Sequence, residues 1–224
     1  LFFNRTKGKF GNELLINGTA DYNVDSAAKA LAIGFKPMQS KTMSHFEILV
    51  RGGGGTPPTY TVELQSDSGG SPSGSVLSSG TFTPATTANT EYEVDMADFA
   101  MTEGVLYWFV VYSADATGAN FATLRNMTDF SNAFLGHGHS KQSTDTRASY
   151  VAFSPANQIS QFGVKYTDAT FEGNGFGDTD TISINAAADQ FGEHFPGNDM
   201  WVTAITMYVA KSDAGTPSAD LTVA

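Results

Sequence analysis

Hydrophobic and polar residues alternate with a period of two in short runs along most of the chain, and turn residues separate these runs. Helical periodicity is nearly absent, and we predict one helical turn at 95–100. Many short strands joined by Gly- and Pro-containing turns predict an all-β fold, an antiparallel β-sandwich or jelly roll. The predicted strands are 30–35, 44–50, 60–65, 91–94, 105–112, 121–125, 150–153, 162–166, 181–184 and 201–209.

Glycine-rich stretches separate several of these strands. They lie at 52–55, 66–74 and 173–177. Glycine adopts positive φ at little steric cost, so we expect turns or loops at all three places.

An internal repeat divides the chain. The strand, Gly-Thr-Pro turn and strand at 46–62 recur in the same order at 205–223, an offset of about 160 residues. The second copy would stop within its third strand, so we expect the native polypeptide to continue, or these last residues to complete their sheet on a neighbour. The predicted organisation is an arm at 1–15, a complete jelly-roll module at 16–167, a Gly/Asp-rich linker with the first strand of the next module at 168–184, and the truncated start of that module at 185–224.

Charge and composition exclude several classes of protein. The 224 residues include 12 basic and 23 acidic residues, a formal net charge of −11, and no cysteine. Nucleic-acid grooves are built from Lys and Arg, so we expect neither nucleic acid nor an anionic membrane surface as a partner. The longest apolar run, 105–112, is far shorter than the about 20 residues that a membrane helix needs.

The residues around the first repeat resemble a known module. It is a jelly-roll module, described as carbohydrate-binding-like, that recurs in tandem in bacteriophage virion proteins and in bacterial surface or secreted proteins. The resemblance covers about 20–167 and 180–224, and it implies no catalytic motif. The segments that carry it are 46–50, 55–57, 60–65, the Asp-Ser-Gly-Gly-x-Pro-Ser-Gly loop at 67–74, 106–111 and 162–166.

Two places are candidates for ligand or partner contact. Asp67 and Ser68 in the glycine-rich loop can cap their own backbone, or touch a sugar or a partner. Trp108, with Tyr107 and Tyr112, can form a sugar-stacking platform. The alternative for Trp108 is the core, because a strand this apolar has two buried faces.

Two further stretches carry metal-ligand chemistry. His137 and His139 share a strand face at i and i+2, but a metal usually needs three or four ligands, and an exposed Gly-rich loop with solvated histidines explains them as well. The stretch 172–180, with Asp178 and Asp180, offers the oxygen ligands that Ca²⁺ prefers, although a soluble linker has the same composition. We predict no other cofactor.

No nucleophile elbow, zinc-protease motif or phosphate loop is present in the sequence, so we predict a protein that is not an enzyme. The expectation is a virion structural protein of a tailed phage, a fibre or decoration-type component assembled in the host cytoplasm. Its partners would be other virion proteins or copies of itself in a homo-oligomer, with host glycans as a further contact. The alternative is a secreted or cell-surface bacterial carbohydrate-binding or adhesion module.

The first 15 residues carry concentrated positive charge at Arg5, Lys7 and Lys9. We predict that this segment docks to an acidic neighbour. A mobile tail is the alternative.

Overall fold

A computed structural model of the chain describes residues 21–86, 90–128, 140–152 and 158–173. These residues form strands joined by turns, and none of them is helical. The strands are β1 (Tyr22–Val24), β2 (Ala30–Phe35), β3 (Lys41–Gly54), β4 (Tyr60–Asp67), β5 (Pro72–Phe82), β6 (Thr90–Met101), β7 (Tyr107–Tyr112), β8 (Phe121–Leu124), β9 (Asn126–Thr128), β10 (Lys141–Ser143), β11 (Val151–Ala152), β12 (Gln158–Ser160), β13 (Phe162–Tyr166) and β14 (Phe171–Gly173).

Two six-stranded antiparallel sheets form a β-sandwich, which confirms the predicted fold class. Sheet I has the order β1-β8-β3-β13-β14, with β6 also paired to β3. Sheet II has the order β11-β10-β2-β7-β4-β5, and β9 pairs with β12 separately. The jelly-roll connectivity stays a prediction.

A cluster of phenylalanine rings joins the two sheets. Phe46 of β3 stacks on Phe109 of β7, with ring centroids 4.4 Å apart. Phe162 of β13 meets Phe35 of β2 edge to face at 5.8 Å. All four side chains are fully buried. The two inner faces therefore share one aromatic core, the arrangement expected of alternating inward-facing residues in a sandwich.

The predicted helical turn at 95–100 is wrong, because these residues belong to β6, which pairs with β3. Val94 and Met96 are buried, whereas Asp95 between them is exposed, so the period is two. Pairing along β3 and burial of alternate residues outweigh the weak helix propensity of an Asp-Met-Ala sequence.

The expected turn at 52–55 is also corrected, since β3 continues through Gly54 and turns at Gly55, where φ is +51°. The register of β3 against β8 shifts between Val50 and Gly52, as in a β-bulge. A Cβ on Gly53 would collide with the carbonyl oxygen of Phe121. This glycine is needed for close approach of the two backbones rather than for a turn.

The loop at 66–74 is shorter than predicted, because β4 extends to Asp67 and β5 begins at Pro72. At the other end, β14 pairs with β13, so the sandwich continues past residue 167 to Gly173. The chain divides into two compact units, 1–179 and 180–224. The second unit lies outside the described residues, and the predicted second module stays a prediction. None of the described residues belongs to a helix long and apolar enough to cross a membrane.

Truncation of the aromatic core tests the packing. We expect Phe109→Ala to lower the free energy of unfolding by about 3–5 kcal/mol, because it leaves a cavity between the sheets. Urea unfolding followed by circular dichroism measures this change. Val76→Ala, at a side chain 51% exposed on β5, is the control and should change it by less than about 0.5 kcal/mol. Similar losses in both variants would contradict the core described above.

Candidate functional site on the outer face of sheet II

Strand β7 lies between β2 and β4 and is buried on both of its faces. Phe109 and Val111 belong to the main core. Trp108 and Val110 point the other way and form a second, smaller cluster with Ala30 and Ala32 of β2. We call this second side the outer face of sheet II, and it holds the candidate site.

Trp108 is covered, with 2% of its surface exposed. Its indole N–H donates to Asp67 Oδ1 at 2.7 Å, and Lys141 Nζ lies 5.5 Å from its ring centroid. The burial of Trp108 agrees with the core alternative of the sequence analysis. The two tyrosines that were predicted to form a platform with Trp108 lie on opposite faces of the sheet. Tyr107 is buried in the main core, and Tyr112 lies partly exposed on the outer face.

Asp67 holds the β4–β5 turn in place. While Oδ1 accepts the Trp108 N–H, Oδ2 accepts the backbone N–H of Gly70 at 3.2 Å. Ser68 and Ser71 exchange two backbone hydrogen bonds, at 2.8 and 3.3 Å. Lys141 of β10 donates to the Gly70 carbonyl oxygen and to Ser71 Oγ, the latter at 2.9 Å. The turn that carries the predicted contact residues is thus fastened to the outer face by internal contacts.

A second group of polar and aromatic side chains lies further along the same face. The hydroxyl of Tyr112 donates to Glu63 Oε1 at 2.7 Å, and Gln65 Nε2 donates to Glu63 Oε2 at 2.7 Å. The guanidinium carbon of Arg147 lies 3.7 Å from the Tyr112 ring centroid. Burial, and next the Glu63 carboxylate, raise the pKa of Tyr112. The phenol therefore stays protonated and donates a hydrogen bond to Glu63.

The turn that carries Arg147 follows β10 and has a strained backbone. Thr146 and Arg147 have φ of 62° and 69°, a region that β-branched and long side chains rarely adopt. Asp145 stabilises the turn, because its carboxylate accepts hydrogen bonds from the backbone N–H and the hydroxyl of Ser149 and from the hydroxyl of Ser143. The hydrogen bonds from Ser149, then that from Ser143, lower the pKa of Asp145 to about 2.

Tyr150 ends this turn and packs against the outer-face cluster. Its hydroxyl is buried and has no hydrogen-bond partner among the described residues. Burial raises its pKa to about 12, although the positive charge of Arg147 acts in the opposite direction. A buried phenol without a partner is uncommon in native structures.

Glu172, the first residue of the stretch predicted to offer calcium ligands, is built into the sandwich instead. It lies on β14 with 4% exposure, and its Oε2 accepts the backbone N–H of Met38 at 3.0 Å. Burial raises its pKa, against the effects of the Met38 N–H and of neighbouring groups including Lys41. Lys41 itself pairs with Asp168 at 2.9 Å. The Glu172 carboxylate thus links β14 to Met38, in the segment that precedes β3.

The other predicted site residues lie outside the described residues, so their predictions stand untested. They are His137, His139, Asp178, Asp180, Arg5, Lys7 and Lys9. Within the described ranges, no group of three or more His, Cys, Asp or Glu side chains is arranged to hold a metal ion.

Three side chains of this site, Arg147, Tyr150 and Glu63, were not predicted from the sequence. One signal was available for Glu63, because the alternation Thr61-Val62-Glu63-Leu64-Gln65 places it on the opposite face of β4 from the core. For Arg147 the Ser-Thr-Asp-Thr-Arg-Ala-Ser sequence predicts a side-chain-capped turn. Nothing local predicts which strand that turn lies against.

Removal of the Asp67 carboxylate tests the fastening of the β4–β5 turn. Asp67→Ala leaves the buried Trp108 N–H without its acceptor, so the free energy of unfolding should fall by about 1–3 kcal/mol. Urea unfolding measures the loss, and amide hydrogen exchange should be faster at Gly70. Ser68→Ala, an exposed neighbour in the same turn, should lie within about 0.5 kcal/mol of the wild type. Equal stability of the two variants would contradict this role.

The raised pKa of Glu172 predicts how stability changes with pH. A buried carboxyl keeps its proton in the folded state above its ordinary pKa of 4.5, so unfolding releases that proton as the pH rises beyond this value. The Glu172 contribution to stability is therefore full below about pH 4.5 and is lost as the pH rises through the folded-state pKa. Glu172→Gln should remove this loss, whereas Glu91→Gln, at an exposed position, should not. Urea unfolding between pH 4 and 8 measures it, and parallel profiles for wild type and Glu172→Gln would refute it.

Comparison of the chain with models of protein families, with curated proteins and with solved structures found no match. The function is therefore proposed from the geometry and chemistry of the described residues, together with the resemblance noted from the sequence.

Proposed function

We propose that this chain is a non-enzymatic virion structural protein of a tailed phage, a fibre or decoration-type component that displays β-sandwich modules. One observation supports a structural role most directly. Asp67 and Trp108, which the sequence marks for ligand contact, bind each other and fasten a surface turn to sheet II. Lys141 completes this fastening from a third strand. Such a module presents rigid turns on a packed sandwich, which suits a repeated building block.

The setting of this role rests on composition and resemblance. The chain has no cysteine, so its stability does not depend on disulfides, and it suits assembly in the reducing cytoplasm of a host. The turn and strands at 46–74 resemble modules of bacteriophage virion proteins and of bacterial surface proteins. Its partners on this proposal are other virion proteins or further copies of the chain in a homo-oligomer, and the protein is exposed outside the cell after release.

Secretion or attachment to a bacterial surface as a carbohydrate-binding or adhesion module is the second candidate function. One observation favours it: aromatic and charged side chains, among them Tyr112, Arg147 and Glu63, meet on the outer face of sheet II. Carbohydrate sites commonly combine an aromatic surface with a few fixed polar groups, and the same combination is present here.

Deletion of residues 1–15 tests the virion proposal together with the docking role of Arg5, Lys7 and Lys9. We expect the wild-type protein to copurify with gradient-banded phage particles at a fixed number of copies per particle. The truncated protein should be absent from the particles, because its basic arm is missing. Quantitative mass spectrometry of banded particles measures both.

Controls separate docking from folding. The truncated protein should keep the thermal midpoint of the wild type, since the deletion removes only the predicted arm and leaves the predicted module at 16–167 complete. Unchanged incorporation of the truncated protein would contradict the docking arm. Recovery of the wild type only from culture supernatant or cell envelope, and never from particles, would contradict the virion role and favour the second candidate function.

A further inference from the structure

Arg147 lacks an acceptor among the described residues. It makes no ion pair and no side-chain hydrogen bond there, and its guanidinium carbon lies 3.7 Å from the Tyr112 ring centroid. Six other cations have an acceptor within ion-pair or hydrogen-bond distance. They are Lys29, Lys41, Arg51, Arg125, Lys141 and Lys165.

The backbone at Arg147 is strained. Arg147 and the preceding Thr146 both have positive φ, a strained conformation of about 1–3 kcal/mol per residue that is enriched at functional sites. The Ser143 hydroxyl accepts the backbone N–H of Arg147 at 3.0 Å, and Asp145 binds Ser149 across the turn. These bonds fix the backbone of the turn, and the contact with Tyr112 positions the guanidinium before any ligand arrives. Positioning of this kind lowers the entropy that binding must overcome.

The Glu63 carboxylate is a hydrogen-bond acceptor that contacts the same tyrosine, Tyr112, as the Arg147 guanidinium. Glu63 has both carboxylate oxygens fixed, one by the hydroxyl of Tyr112 and the other by the amide of Gln65. A carboxylate oxygen accepts more than one hydrogen bond, so Glu63 retains capacity for a further donor. Glu63 and Arg147 both lie close enough to shift the pKa of Tyr112 and Tyr150, in opposite directions. Glu63 and Arg147 both contact Tyr112, and Tyr112 and Tyr150 pack against the same outer-face cluster, so the four side chains lie together.

The chemistry of the cluster selects the ligand. A guanidinium pairs best with a planar carboxylate, through two parallel hydrogen bonds. The negative charge of Glu63 disfavours a multiply charged phosphate or sulfate but suits hydroxyl groups, which donate to it. A ligand with one carboxylate beside several hydroxyls meets both requirements.

We infer that Arg147, Tyr112 and Glu63 bind a uronic-acid residue of an acidic polysaccharide. Arg147 pairs with the sugar carboxylate, Glu63 accepts a sugar hydroxyl, and the edge of the Tyr112 ring supplies apolar contact. The inference deepens the second candidate function, and it is equally compatible with glycan contact by a virion protein. The net charge of −11 opposes general attraction of a polyanion, so retention of one requires a specific site.

Calorimetric titration of the full chain with oligosaccharides tests the inference in calcium-free buffer. The probes are tetramers of galacturonate, of mannuronate and of hyaluronan repeats, with maltotetraose as the neutral control. We expect at least one uronate tetramer to bind and maltotetraose not to bind. Arg147→Lys keeps the charge but loses the two parallel hydrogen bonds, and it should weaken binding by at least tenfold.

Matched variants keep the result interpretable. Arg51→Lys changes an arginine that is paired with Asp21 elsewhere, and it should bind like the wild type. Tyr112→Leu removes the ring under Arg147 and the hydroxyl that fixes Glu63, and it should also weaken binding. Circular dichroism and thermal midpoints establish that each variant is folded.

Three results would overturn the inference: no binding of any uronate tetramer by the wild type, unchanged affinity in folded Arg147→Lys and Tyr112→Leu, or equal binding of a tetraglutamate peptide. The last would assign the site to protein carboxylates instead of sugars. Binding is measured on the isolated chain and incorporation on particles, so failure here is distinguishable from failure of the proposed virion role.

Discussion

The burial of β7 on both faces is the constraint on which the rest of the described structure depends. This strand, Tyr107–Tyr112, lies in the middle of sheet II, and its inner side chains pack against sheet I. Its outer side chains, Trp108 and Val110, are equally apolar and cannot face water without a large loss of hydrophobic free energy. A second layer is therefore required. The chain builds this layer from long side chains and a surface turn. Lys141 extends from β10, a neighbouring strand of sheet II, over Trp108, and Tyr150 of the turn after β10 packs against the same cluster.

Such a thin cover explains why polar and charged groups gather at this place. Lys and Arg side chains cover apolar surface with their stems while their charged heads reach polar groups or solvent. Lys141 does so over Trp108 and finds acceptors in the β4–β5 turn. Arg147 does so over Tyr112 and finds none among the described residues. The same packing requirement thus produces a structural contact at one end of the face and, at the other, a guanidinium with no protein acceptor among the described residues.

Features that depend on neighbouring residues in the sequence could be predicted, whereas features that depend on contacts between distant segments could not. Alternation within one strand predicted 30–35 and 162–166 with the bounds that the structure has, and the apolar run at 105–112 predicted two buried faces. Strand β6 was missed at 95–100, because its conformation depends on pairing with a strand about 50 residues earlier. The candidate site could not be predicted, since β4, β7 and the turn after β10 meet only in the folded sheet.

The net negative charge of the chain affects how strongly Arg147 can bind a carboxylate ligand. Acidic residues outnumber basic ones by 23 to 12, so an exposed cation would ordinarily gain from pairing within the chain. Repulsion from the net negative charge is screened beyond about 8 Å at physiological ionic strength, and a carboxylate that reaches Arg147 then meets mainly local groups. A single pair of this kind gives weak affinity. In a particle or on a cell surface that displays many copies, linked sites raise the overall affinity by about 10²–10⁴ without any new contact. A repeated structural module and a weak acidic-glycan site are therefore compatible functions of one fold, and repetition would make such a site effective.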